Sequence, residues 1–330
     1  MKNLRSGLKP FKCPPSPRVL YRNYCEAKFI NSPLNPWFVT GFCDAEATFL
    51  ISIYKTDRVK QGWAVIASFS IGLHPKDAEL LSWIQLSFGV GSVCVKKRGG
   101  VVSYSVNSLK DITNVIVPHF NSYTLTTQKR ADFELFKLVV ELMNKKEHLT
   151  REGLSKIVSV KASMNRGLSE ELQTAFPSAT PVQRPIFEPA ATIKDPNWLA
   201  GFTEGESCFF VQLRKSSTHK AGVQAILHFR ITQHLRDQAL INSLIDYLGC
   251  GSIVVHSKES SVVYLVNKIS DIFEKIMPFY SKYPLQGAKG QDFKDWCKVA
   301  NIMKTKSHLT QSGLEEIRLI KAGMNRGRSV

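Results

Sequence analysis

The chain has 330 residues, 44 Lys and Arg against 27 Asp and Glu, a formal charge of +17, and 43% hydrophobic and 10% aromatic residues. That composition supports a buried core and excludes intrinsic disorder and fibrous classes, and no run of about 18 apolar residues marks a membrane-spanning helix. The excess positive charge points to a polyanion, nucleic acid before a membrane surface, because Lys and Arg are spread along the chain without the pattern of a basic amphipathic helix.

Residues 1–30 are basic, with Pro10, Pro14, Pro15 and Pro17 and no acid before Glu26. They lack the apolar stretch of a signal peptide and are expected to form a disordered arm. Asn35-Pro36 predicts an N-cap with Pro at the first helical position, and Phe38, Gly41, Phe42 and Ala45 follow at helical spacing. A strand comes next, in which Phe49, Ile51 and Ile53 alternate with Thr48, Ser52 and Tyr54. Beyond a turn at Gly62, Val65, Ala67, Phe69 and Ile71 alternate with Ser68 and Ser70. A helix is expected from about Asp77 to Phe88, then a Gly89-Val90-Gly91 turn and two short strands meeting at Gly99-Gly100. Helices over 111–120, 127–144 and 151–163 close the unit.

The unit is then repeated at a constant offset of 160 residues without a gap. Gly41, Phe42, Glu46 and Phe49 return as Gly201, Phe202, Glu206 and Phe209; His74 and Asp77 return as His234 and Asp237. His148-Leu149-Thr150 and Met164-Asn165-Arg166-Gly167 return as His308-Leu309-Thr310 and Met324-Asn325-Arg326-Gly327. Two copies are too few for a solenoid, so the expected fold is α+β: two pseudo-symmetric αββαββα lobes, 31–169 and 196–330, packed through their first helices. Segment 170–195, with Pro177, Pro181, Pro185 and Pro189, is expected to be a semi-rigid extended linker. The seven cysteines are odd in number and widely spaced, which suits reduced core residues better than zinc or disulfides.

Chemistry concentrates where the first helix of each half ends in acid, at Glu46 and Glu206. Gly41 and Ala45, like Gly201 and Gly205, are four apart and give each helix a face of small residues that allows close backbone approach. Helices meeting along those faces would bring Glu46 and Glu206 together beside helix-end carbonyls that lack intrahelical partners. Such an all-oxygen set suits a hard divalent ion, Mg²⁺ first, with Ca²⁺ or Mn²⁺ able to occupy the same sites. Asp44 and Glu204 lie about 200° away around the helix and are expected to be structural.

These segments resemble the paired signature helices of LAGLIDADG homing endonucleases, in the single-chain, two-motif form typical of fungal mitochondrial introns. The resemblance runs from about Pro36 to Gly327 and implies a monomeric mitochondrial enzyme. Its activity would be Mg²⁺-dependent hydrolysis of both strands of a long asymmetric DNA target, leaving 3′ overhangs. By position, Glu46 and Glu206 would be the metal-binding acids, with the carbonyls of Ala45 and Gly205 adjacent. Gln233 stands where such enzymes place a polar residue near the attacking water, opposite Leu73 in the first half, and Lys129 and Lys289 stand where a basic residue approaches the scissile phosphates. The motif's last glycine is replaced by Ala47 and Ser207. The alternative reading is an RNA maturase that assists splicing of its host intron, with intron RNA as partner.

Strand alternation assigns the reading faces independently. In the second half Gln212, Arg214, Gln224, His228, Arg230 and Thr232 point away from the core, residue types suited to base edges in a major groove. The first half offers Ser52, Tyr54, Ser68 and Ser70, with Lys55, Arg58 and Lys60 around a turn and Lys96 near a strand end. Together the antiparallel sheets would form a DNA-binding saddle, with half-sites that differ in sequence.

Overall fold

Asn35 accepts a hydrogen bond from the Trp37 amide at 2.9 Å, and Pro36 opens helix α1 (Pro36–Glu46). The computed structural model describes residues 33–96, 100–187, 192–218 and 221–328; the arm expected over residues 1–30 lies outside them. At the end of α1 the chain turns extended, with Ala47 at φ −78°, ψ 155°. Ser207 adopts a similar conformation in the second half. Any residue reaches that region, so neither position needs the glycine of the motif.

Strands β1 (Ala47–Lys55) and β2 (Trp63–Leu73) pair antiparallel with Phe49 opposite Phe69. Helix α2 (Ala78–Phe88) follows, then β3 (Ser92–Lys96) and β4 (Val101–Val106), giving the strand order β1-β2-β4-β3. Helical turns Leu109–Asp111 and Ile112–Ile116 lead into α3 (Val117–Ser122), and α4 (Lys129–Asn144) and α5 (Arg151–Ala162) complete the first lobe. The second lobe repeats this as α7 (Pro196–Glu206), β5 (Ser207–Lys215), β6 (Val223–His234), α8 (Gln238–Leu248), β7 (Ser252–His256), β8 (Ser261–Val266), α9 (Met277–Lys282), α10 (Ala288–Lys304) and α11 (Gln311–Ala322). Its strand order is β5-β6-β8-β7. The expected α+β architecture of two αββαββα units is therefore the observed one.

One start is refined and one segment departs from expectation. Helix α4 starts at Lys129, and the expected start at about Thr127 is the residue that caps it: Thr127 Oγ1 accepts from the Lys129 amide at 3.2 Å, while the amides of Thr126 and Thr127 donate to the Asp44 carboxylate. The segment expected to be extended opens instead with α6 (Glu170–Ala175), whose N-cap Ser169 precedes two glutamates, a pairing that suits a helix start. The same segment is tied to the first lobe: Phe176 packs against Trp63, and Arg184 forks onto both carboxylate oxygens of Asp132 at 2.8 Å.

Each lobe has a core centred on one phenylalanine of its first strand. Phe49 is ringed by Phe69, Phe120, Phe133 and Phe136, and Phe209 by Phe229, Tyr280, Phe293 and Trp296 at the positions 160 residues on. Tyr280 brings a hydroxyl into the second core and Thr203 satisfies it at 2.7 Å. The repeated Asn165 and Asn325 take left-handed conformations, φ 48° and 55°, and donate through Nδ2 to the carbonyls of Phe49 and Phe209. That bond fastens the chain just past each last helix to the first strand of its lobe, which accounts for the recurrence of asparagine.

The lobes meet through α1 and α7. A methyl group on Gly41 would lie 1.9 Å from the Trp198 carbonyl oxygen, and one on Gly201 would lie 2.0 Å from that of Phe38. No side chain fits there. Trp198 also donates its indole N–H across the interface to Asp44 at 2.8 Å.

Candidate functional site

Because α1 and α7 cross at Gly41 and Gly201, their C-terminal ends adjoin. A methyl on Gly205 would sit 2.3 Å from Ala45 Cβ and 3.3 Å from Glu46 Oε1, so the Glu46 carboxylate lies against the end of the opposite helix. Glu46 and Glu206, the last residues of the two helices, are both half-buried there. Asp44 and Glu204 turn the other way and are 2% and 5% exposed, as the 200° separation predicts. Asp44 accepts from Thr126, Thr127 and Trp198, and Glu204 from the amides of Gln286 and Lys289.

The site gathers charges of both signs. Burial raises the carboxyl pKa of Glu46, against the nearby ammonium groups of Lys129 and Lys289. Glu206 is raised by burial and then by the Glu46 carboxylate, while a hydrogen bond from Gln233 and the two lysines pull it back. Gln233 donates from Nε2 to Glu206 Oε1 at 3.2 Å, and its own Oε1 accepts from the His234 amide at 2.8 Å. Leu73 cannot do the same for Glu46, so the two halves of the site differ chemically.

Lys129 Nζ donates to the carbonyls of Cys43 and Ala45 at 3.0 and 3.1 Å. Lys289 Nζ donates to those of Gly205, at 3.3 Å, and Ser207. The ammonium groups thus meet the carbonyls of Ala45 and Gly205 at the two helix ends, and burial lowers the pKa of Lys129. Two carboxylates and a row of carbonyl oxygens that already attract positive charge form a donor set suited to a hard divalent cation.

The outer faces of the sheets carry the other predicted residues. Tyr54, Lys55, Arg58 and Lys60 are exposed, and Ser52, Ser68 and Ser70 half-buried. Lys55 is shared between Glu171 at 3.7 Å and the Trp63 ring, and Ser68 donates to Asn107 at 2.5 Å. The side chain of Lys96 lies outside the described residues. On the second sheet Arg230 and Thr232 are exposed, and Arg214 donates to Gln224 at 2.9 Å. His228 departs from expectation: it shares the outer side but is only 6% exposed, stacked on Phe210 and hydrogen-bonded to half-buried Gln212 at 3.0 Å. It packs within the layer because the aromatic Phe210 directly opposite covers it.

Sequence reasoning passed over two groups. Ile66, on the outer face opposite Ser52, is 37% exposed although apolar. Asp77 and Asp237 were legible only as a recurrence and, for Asp77, as a helix start, and they accept from the amides of Ala288 and Gln128, the residues just before Lys289 and Lys129.

A family model described as LAGLIDADG endonuclease matches residues 39–140 and 199–300, two stretches separated by the repeat offset. The probable intron-encoded endonuclease 3 of Neurospora crassa is 39% identical over 288 residues, 87% of this chain and 54% of that protein. Probable intron-encoded endonuclease 2 of the same fungus is 37% identical over 294 residues, 86% of this chain and 64% of its own length. The chain therefore spans less than two thirds of either curated relative. Among solved structures, the I-SmaMI LAGLIDADG homing endonuclease bound to cleaved DNA is 49% identical, with a TM-score of 0.88 over 90% of this chain and 99% of that one. The same nuclease, bound to its uncleaved DNA target in the presence of calcium ions, matches with a TM-score of 0.86.

Proposed function

This chain belongs to the LAGLIDADG endonuclease family, and from that premise we propose that it is a site-specific DNA endonuclease that hydrolyses both strands of a long, asymmetric target and leaves 3′ overhangs. The observation that carries the reading is the convergence of Glu46 and Glu206 at adjoining helix ends, with Lys129 and Lys289 at the same carbonyls. The relatives' crystal structures on DNA support double-stranded DNA as the partner.

The carboxylates of Glu46 and Glu206, with the carbonyls of Ala45 and Gly205, would hold the divalent cation, for which Mg²⁺ is the natural choice beside phosphate. The chemistry that such a cation supplies when bound is polarisation of the phosphodiester and stabilisation of its attacking and leaving oxygens. Gln233 fixes the Glu206 carboxylate. Lys129 and Lys289 hold positive charge where the phosphate gains negative charge. Ser52, Tyr54, Lys55, Arg58, Lys60, Ser68, Ser70, Lys96, Gln212, Arg214, Gln224, Arg230 and Thr232 would read or position the duplex, with His228 supporting the layer beneath. One chain supplies both acids, so a monomer suffices, and the intron-encoded fungal relatives support mitochondria as the place of action.

The direct test is a cleavage screen of the purified protein with Mg²⁺ against a randomised duplex library. A defined sequence cut in both strands is expected; no Mg²⁺-dependent cutting anywhere in the library contradicts the reading. A splicing assay of the host intron separates this from the maturase alternative, which the retention of both acids disfavours.

A further inference from the structure

Asp77 and Asp237 occupy the N-cap positions of α2 and α8, yet neither carboxylate caps its own helix. Each crosses to the other lobe. Asp237 Oδ1 accepts from the Gln128 amide at 2.7 Å, where α4 of the first lobe begins. Asp77 Oδ1 accepts from the Ala288 amide at 3.1 Å, where α10 of the second lobe begins. It is one bond made twice, since both the acids and the amides are related by the repeat offset of 160. In each case the next residue is the active-site lysine, Lys129 or Lys289.

Further amides at these helix starts bond to an acid of their own lobe, Thr126 and Thr127 to Asp44, Gln286 and Lys289 to Glu204, while the Lys129 amide donates to Thr127 Oγ1. A helix start leaves four amides without partners, so each lysine-bearing turn is clamped by two carboxylates, one from each lobe. An aspartate that served only its own helix would bond the amides two or three residues on. Asp237 is instead buried at 5% exposure, with Arg236 at 3.5 Å as its neutralising partner.

We propose that Asp77 and Asp237 are reciprocal positioning residues: each lobe fixes the helix start that aims the other lobe's lysine, so that each strand cut depends on the docking of both lobes. The inference rests on the endonuclease reading.

The test uses a target labelled separately on each strand, saturating protein, Mg²⁺ and single-turnover conditions. Lys129→Met and Lys289→Met first establish which strand each lysine serves. Asp237→Ala should then slow the strand that Lys129→Met slows, and Asp77→Ala the strand that Lys289→Met slows, each by about tenfold or more, with DNA affinity unchanged. Asp237→Asn keeps an acceptor oxygen and should restore most of the rate. Gln128→Pro deletes the donor at a residue whose φ of −60° suits the ring, and should reproduce the strand bias of Asp237→Ala even where that variant folds poorly. Equal slowing of both strands, or slowing of the strand served by the lysine of the same lobe, overturns the proposal. Wild-type protein that cuts no target under these conditions overturns the endonuclease reading itself, so the two failures are distinguishable.

Discussion

Glu46 and Glu206 differ from surface glutamates because burial lifts both carboxyl groups above the ordinary value of 4.5, and in Glu206 the neighbouring carboxylate lifts further. A cation ligand must be ionised, so single-turnover cleavage should fall as pH drops through a value above 4.5, and added Mg²⁺ should move that limb downward by competing with protons. A rate that holds steady down to pH 4.5 would contradict the assignment. Gln233→Leu, which makes the second lobe resemble the first at Leu73, removes a hydrogen bond that favours the ionised acid and should shift the limb upward. Glu204 supplies a stability readout whose pH dependence runs the opposite way: burial pushes it up to about 7. Its contribution is fully present below the unfolded value of 4.5 and is lost as pH rises through 7, so Glu204→Gln should flatten the fall in thermal stability over that window. The acids themselves were legible because two glutamates recur in one register. Gln233 was legible only through the family resemblance, and the lysine-to-carbonyl bonds were hidden because no local pattern says where a long side chain ends.

Helix α1 and helix α7 are placed by what they lack. Replacing Gly41 or Gly201 by Ala drives a methyl into a backbone carbonyl that cannot move aside, and should cost roughly 1–3 kcal/mol or more in denaturant unfolding. Gly72→Ala is the control, because its methyl would meet only Val101 Cγ1 at 3.8 Å. Equal stabilities for Gly41→Ala and Gly72→Ala would contradict the packing. The strap between the lobes has its own anchor. Hydrogen bonds from Arg184 and Asn165 hold the Asp132 carboxyl below the ordinary range although burial opposes them, so this stabilisation is present above 3.8 and lost as pH falls below it. Arg184→Met should therefore destabilise the neutral protein by about 2 kcal/mol, measured by urea unfolding. Periodicity and caps were enough to locate nearly every helix and strand. They misjudged α6, where four prolines outweighed a short Ser-Glu-Glu start.

Over the whole molecule, the proposed function would divide the work between the +17 charge and the acid-lined site. On the proposed function, exposed Lys and Arg would supply sequence-independent attraction to phosphates, and DNA affinity should fall by about 10³ or more between roughly 50 and 200 mM salt if six to ten phosphates are neutralised. A flat salt dependence would remove that part of the account. The pseudo-two-fold was readable from the offset alone, but the cross-lobe bonds of Asp77, Asp237 and Trp198 were not, since they join residues that only the docked lobes bring together. The most direct measurement compares wild type with Glu46→Gln and Glu206→Gln on the same DNA target in Mg²⁺, scoring binding and double-strand cleavage in parallel. Loss of double-strand cleavage in each variant with DNA binding retained is the predicted result, and undiminished cleavage by either variant would contradict the assignment of these two glutamates as the acids that hold the cation.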